Sequence, residues 1–110
     1  MQDLINELNH HRQSLNYAIK ELGVRGQAKA EAERDYRIAL AKEMLRLRAE
    51  EKTPVTIIND ICRGKEDIAR LKMERDIAES LYESNMQYIY STKLNIDIIQ
   101  NQINATHKGL

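Results

Sequence analysis

EEKTPVTIINDICRGKED, residues 50–67, holds the only proline and the only cysteine of the 110-residue chain and separates two long charged stretches. Thr53 is a natural N-cap, and Pro54 fits a first helical turn, where its missing N–H costs nothing. The segment therefore predicts a short helix over about 54–63 that carries Val55, Ile57, Ile58 and Ile61. Gly64 follows as a C-cap expected to adopt a left-handed conformation. On this reading the short helix is the tip at which the chain turns back.

The flanking stretches read as long helices over about 2–51 and 65–105. In the first, Leu4, Ile5, Leu8, Leu15, Ile19 and Leu22 fall on one face, and the stripe resumes with Tyr36, Leu40, Met44 and Leu47. Gly23 and Gly26 interrupt it without proline or Asn-Gly, so a continuous helix is expected at about 1 kcal/mol per glycine relative to alanine. In the second stretch Ile68, Arg75, Tyr82, Ile89, Ile96 and Ile103 stand seven apart, with Leu71, Ala78 and Ile99 beside them. A repeat of that period favours coiled-coil-like packing. The expected fold is all-α: an elongated antiparallel helical hairpin, long helix, tip helix, long helix, forming one domain over 1–110.

If the tip helix is the turning point, residues equidistant from it face one another. Tyr36 then lies near Leu81 and Tyr82, Leu22 near Ile96, and Leu15 near Ile103. The two glycines make room for the bulk of Tyr90 to Leu94. The expected seam is Leu8, Leu15, Ile19, Leu22, Tyr36, Leu40, Leu47, Leu71, Tyr82, Ile89, Ile96 and Ile103. Both chain ends are poor in charge and rich in Asn and Gln, as antiparallel neighbours would be.

Composition supports helices packed through a narrow seam. Apolar residues make up 42% and charged residues 31%, with no Trp or Phe. Lys plus Arg equals Asp plus Glu at 17 each, so no net field favours nucleic acid, an anionic membrane or an acidic substrate. No apolar run approaches the roughly 18 residues that span a bilayer. A lone cysteine excludes an internal disulfide, and a soluble, cytoplasmic protein is expected. A second set of apolar residues, Ile38, Ala41 and Leu45 on the first helix and Met73, Ile77, Leu81, Leu94 and Ile98 on the third, exceeds what two helices cover between them. Such a wide apolar band predicts self-association, most simply as a two-fold dimer.

Nothing in the sequence assembles a reaction. His10 and His11 point about 100° apart on a helix and make a poor ligand pair, with or without His107. Cys62 has cations nearby but no histidine between positions 12 and 106, and reads as a small buried hydrophobe. The carboxylates belong to charged helix surfaces without a sheltered pair. No cofactor and no enzymatic activity are expected. Lys52, Arg63, Lys65 and Arg70 gather near the tip and are the candidate contacts for a partner or for phosphates. Asp60, Glu66 and Asp67 are interleaved with them, which places nucleic acid behind a protein partner.

The segment AERDYRIALAKEMLRLRAEEKTPVTIINDICRGKEDIARLKMERDIAESLY resembles small helical proteins of phages and prophages of Gram-positive bacteria. The elements that carry the likeness are ERDYR at Glu33 to Arg37, TPVT at Thr53 to Thr56, Gly64, and RDIAE at Arg75 to Glu79. The resemblance implies action inside an infected bacterial cell and assigns no activity to any residue. Expectations therefore centre on a non-enzymatic protein-binding or scaffold protein contacting an unidentified protein and itself. An inhibitor of a host defence complex and a nucleic-acid accessory factor for phage replication or recombination are the alternatives.

Overall fold

A computed structural model describes residues 1–109. It contains three helices, α1 (Gln2–Glu50), α2 (Val55–Arg63) and α3 (Glu66–Lys108), and no strand among the described residues. The expected order of long, short and long helix is present, and α1 runs unbroken through Gly23 and Gly26. A Cβ added to Gly23 would meet nothing within 4 Å. Gly23 therefore makes no room for a bulky neighbour, contrary to expectation, and its cost to the helix is uncompensated.

The chain divides into two compact units, Gly26–Leu81 on one hand and Met1–Arg25 with Tyr82–Leu110 on the other. In Gly26–Leu81, Tyr36, Leu47, Ile58, Cys62 and Ile68 form a buried cluster, with Ala39, Leu40, Met44 and Leu71 packed against it. All three helices contribute to it. Each fully buried Ile or Leu contributes roughly 1.5–3 kcal/mol relative to its exposed state, so this cluster supplies the main stabilisation of the unit. In the other unit Leu8, Ala18, Ile89, Thr92 and Ile99 are buried.

The turn differs from the expected one. α1 closes through Lys52, a non-glycine residue at φ 51°. This left-handed step lets the Thr53 N–H reach back to the Leu47 carbonyl at 3.1 Å, which also accepts from Glu51 at 3.2 Å. Arg48 then donates to the Thr53 carbonyl at 2.9 Å. Thr53 is thus buried in the closure of α1, and Pro54, extended at φ −60° and ψ 141°, is the N-cap of α2 without a side-chain cap. Proline disfavours the helical region for the residue before it, which fixes the break here. Gly64 is not left-handed: at φ −81° and ψ −10° it stays in the right-handed region. The Lys65 N–H still bonds the Cys62 carbonyl at 3.1 Å, so α2 passes into α3 through right-handed backbone.

These features relocate the reversal. Glu43 pairs with Lys65 at 2.9 Å and Glu33 with Arg75 at 3.4 Å, so ten residues back along α1 match ten residues forward along α3. Both pairs are centred on Pro54. The chain therefore reverses before α2, and α2 belongs to the returning limb instead of forming a symmetric tip. The register shifts accordingly. Tyr36 is covered by Arg75, whose guanidinium carbon lies 4.7 Å from the ring centroid. In the other unit Asn85 donates to the Ala18 carbonyl at 2.9 Å. Antiparallel helices in that register set Leu15 beside Tyr88, with Ile103 about 22 Å further along α3, so the expected pairings of Leu15 with Ile103 and Leu22 with Ile96 do not form.

Candidate interaction surfaces

The heptad column of α3 behaves as its spacing predicts. Ile68 and Ile89 are buried, and Arg75, Tyr82, Ile96 and Ile103 are half-buried. A second inward column, Leu71, Ala78, Asn85, Thr92 and Ile99, runs alongside; Ile99 belongs to the expected pattern, and buried Thr92 falls outside it. On α1, Leu8, Tyr36 and Leu47 are buried, and Leu15, Leu22 and Leu40 half-buried. Ile19 is the exception at 49% exposed, while its neighbour Ala18 is 2% exposed. Successive helical residues turn by about 100°, so the two cannot share a face. Seven-residue spacing from His11 to Ala18 to Arg25 was the signal available; the greater hydrophobicity of isoleucine hid it. A small side chain at position 18 admits the Asn85 amide to the backbone carbonyl.

Arg75 interrupts the apolar column and is held from three sides. It lies over Tyr36, pairs with Glu33, and its Nη2 is 3.0 Å from Asp76. The Asp76 carboxyl is held below its ordinary range by its hydrogen bonds to Lys72 and Arg75.

The cations singled out near the turn do not form a free basic patch. Lys65 contacts Glu43, and Arg70 lies 3.7 Å from Glu74. Lys52 serves the turn by its backbone, and its side chain is exposed, as is that of Arg63. Glu43 is the centre of this charge network, with Arg46 at 2.7 Å and Lys65 at 2.9 Å. Hydrogen bonds from Arg46 and then Lys65 lower its pKa from 4.5 to about 2. Arg46 also reaches Glu51 at 3.2 Å.

Cys62 is fully buried, and its thiol is pushed up by desolvation and next by the nearby Glu43 charge. A thiol held in its protonated form inside a core is a poor nucleophile. His10 and His11 have ring centroids 5.9 Å apart, and no group of three or more His, Cys, Asp or Glu suited to a metal ion occurs among the described residues. No described helix is long and apolar enough to cross a membrane.

What remains for a site is outward-facing apolar surface. In the unit Gly26–Leu81, Ile38 and Leu45 of α1 are 47% and 71% exposed, and Met73, Ile77 and Leu81 of α3 are 55%, 52% and 43% exposed. Val55, Ile57 and Ile61 of α2 are also exposed, because only Ile58 and Cys62 of that helix turn inward. In the other unit, Tyr17 and Tyr88 border an open groove with His10, Gln13, Ser14 and Asn85. Large apolar side chains spaced along the backs of helices are the arrangement by which helices bind other helices. No family model matches the chain, and no curated protein and no solved structure matches it either.

Proposed function

We propose that this chain is a non-enzymatic binding protein that acts through the outward apolar faces of its helices. The observation that carries the reading is the exposure of Ile38 and Leu45 on α1 and of Met73, Ile77 and Leu81 on α3, all left uncovered while the same unit buries a core. Large apolar side chains exposed at helical spacing are the surface by which such helices contact other proteins. Its partners are a second copy of the chain and a protein of the cell in which it works. The resemblance to phage proteins read over about residues 31–82 favours a bacterial cell under infection as that setting, in its cytoplasm, and an inhibitor of a host defence complex is one form of the same binding role. Phosphate contact has less support, because Lys65 and Arg70 each lie against a carboxylate.

The test is affinity capture of the tagged chain from infected bacteria, with wild type compared against Leu45→Asp. A protein retained by wild type and lost with Leu45→Asp supports the reading. Capture of only the chain itself, together with salt-sensitive DNA or RNA binding abolished by joint substitution of Arg63, Lys65 and Arg70, overturns it in favour of the nucleic-acid role.

A further inference from the structure

The groove in the unit of the chain ends differs in chemistry from the apolar backs of the helices. His10, Gln13, Ser14 and Tyr17 stand at i, i+3, i+4 and i+7 and so share one face of α1, while Asn85 and Tyr88 line the groove from α3, around a volume of about 470 Å³. That volume lies within the range of small-molecule sites. Ala18, 2% exposed, forms the floor, and the Asn85 amide is held there by donating to the Ala18 carbonyl at 2.9 Å. The Asn85 oxygen remains an acceptor. Whereas Tyr36 buries its ring in the core, Tyr17 and Tyr88 hold theirs in water at 66% and 50% exposed, one on each bank. Although 31% of the chain is charged, no Lys, Arg, Asp or Glu lines the groove. It offers a phosphate or carboxylate no lysine or arginine and an amine no carboxylate, and it combines two aromatic faces with amide and hydroxyl groups.

We propose that this groove binds a neutral, planar nucleobase, free or as its nucleoside, with the ring stacked on the tyrosines and its edge hydrogen-bonded by Gln13, Ser14 and Asn85. Every base has a π-face, and stacking on an aromatic side chain uses it whatever the sequence of atoms at the edge. The Gln and Asn amides each carry a donor beside an acceptor, as base edges do, and the serine hydroxyl serves as either. Without a lysine or arginine in the lining, a phosphate on the ligand adds nothing to binding. The inference goes beyond the protein-binding role, since none of these residues belongs to the exposed apolar set that carries it.

Amide chemical shifts of the isotope-labelled full chain, titrated with adenosine, guanosine, cytidine and uridine to about 10 mM, test it. At least one nucleoside is expected to give saturable shifts centred on residues 10–18 and 85–88, and its 5′-monophosphate to bind no more tightly. Joint substitution of Tyr17→Ala and Tyr88→Ala should raise that Kd at least ~10-fold, the loss of stacking on an aromatic ring, while Tyr17→Phe with Tyr88→Phe, which keeps both π-faces, should stay within about threefold of wild type. Both tyrosines are exposed, so the circular-dichroism melts of these variants should match wild type and show that the helices persist. No saturable shift with any of the four, a Kd unmoved by the paired alanines, a monophosphate bound at least ~10-fold more tightly than its nucleoside, or equal shifts from the neutral sugar maltose would overturn the assignment.

Discussion

The two compact units are built from the same two long helices, yet they are held differently. Gly26–Leu81 gains a third helix, and with it a cluster in which Ile68, Cys62, Ile58 and Leu47 are almost completely out of water. It also carries the interhelical ion pairs Glu33–Arg75 and Glu43–Lys65. The unit made of the chain ends buries Leu8, Ile89 and Ile99 together with small or polar Ala18 and Thr92, and the Asn85 amide reaches across to the Ala18 carbonyl. A side chain between two helices is enclosed only along the seam. The short helix α2 adds Ile58 and Cys62 to that seam. α2 thus turns half of a marginal helix pair into a core, and the breaking of the chain at Pro54 is what makes α2 available.

The largest expected effect tests that contrast directly. Ile68→Ala is expected to cost about 3–4 kcal/mol in urea unfolding, near the upper range for enclosed aliphatic truncations, and Ile89→Ala about 2 kcal/mol, because two-helix surroundings relax around the loss. Amide exchange should show the helical segments of residues 36–71 protected longest; equal protection at Leu8 to Ala18 would erase the distinction between the units.

Next come two stabilising changes. Gly23→Ala should add about 1 kcal/mol, since the new methyl meets nothing within 4 Å and the helix gains a better former. A loss of stability there would mean that a neighbour occupies the space. Lys52→Gly should add about 0.5 kcal/mol by relieving a left-handed non-glycine residue, partly offset by the freedom glycine brings to the unfolded chain. Thermal melts read both.

A pH series separates the charge network from the core. Glu43 titrates at about 2 in the folded chain against an ordinary 4.5, so the folded state holds the ionised form and gains stability above 4.5. Wild type should therefore melt above Glu43→Gln at neutral pH, and the gap should narrow as pH falls from 4.5 and vanish near 2. A gap independent of pH would assign the effect to packing. The smallest change is Gly64→Ala, expected to be nearly neutral because the residue is right-handed and its nearest new contact, the Asp60 carbonyl, is 3.4 Å away. A left-handed cap would instead lose about 1 kcal/mol.

Helix identity and the α3 seam were legible because they depend on local properties. Proline at 54 stops α1 wherever the rest of the chain lies, and seven-residue spacing keeps Ile68, Arg75, Tyr82, Ile89, Ile96 and Ile103 on one face that drifts by only about 20° per heptad. The seam of α1 was less legible at Ile19 and Ala18, where hydrophobicity and spacing disagreed and spacing won. The candidate surface was legible in part: Ile38, Leu45, Met73, Ile77 and Leu81 were marked as a second stripe by periodicity, while the pairing of Lys65 and Arg70 with carboxylates was not, since it depends on which side chains face each other.

By itself, then, the order of residues determined three helices, their breaks within a few positions, and a surplus of apolar surface. Tertiary structure alone decided the point of reversal, the register of Tyr36 against Arg75 and of Ala18 against Asn85, and the choice of Ile58 over Val55, Ile57 and Ile61 to join Cys62 in the core. The physical reason is the difference in range. Helix formation and helical periodicity are set by residues three, four and seven apart, whereas register is set by a single left-handed step at Lys52 together with contacts between residues dozens of positions apart, and a shift of one turn there leaves every local signal unchanged.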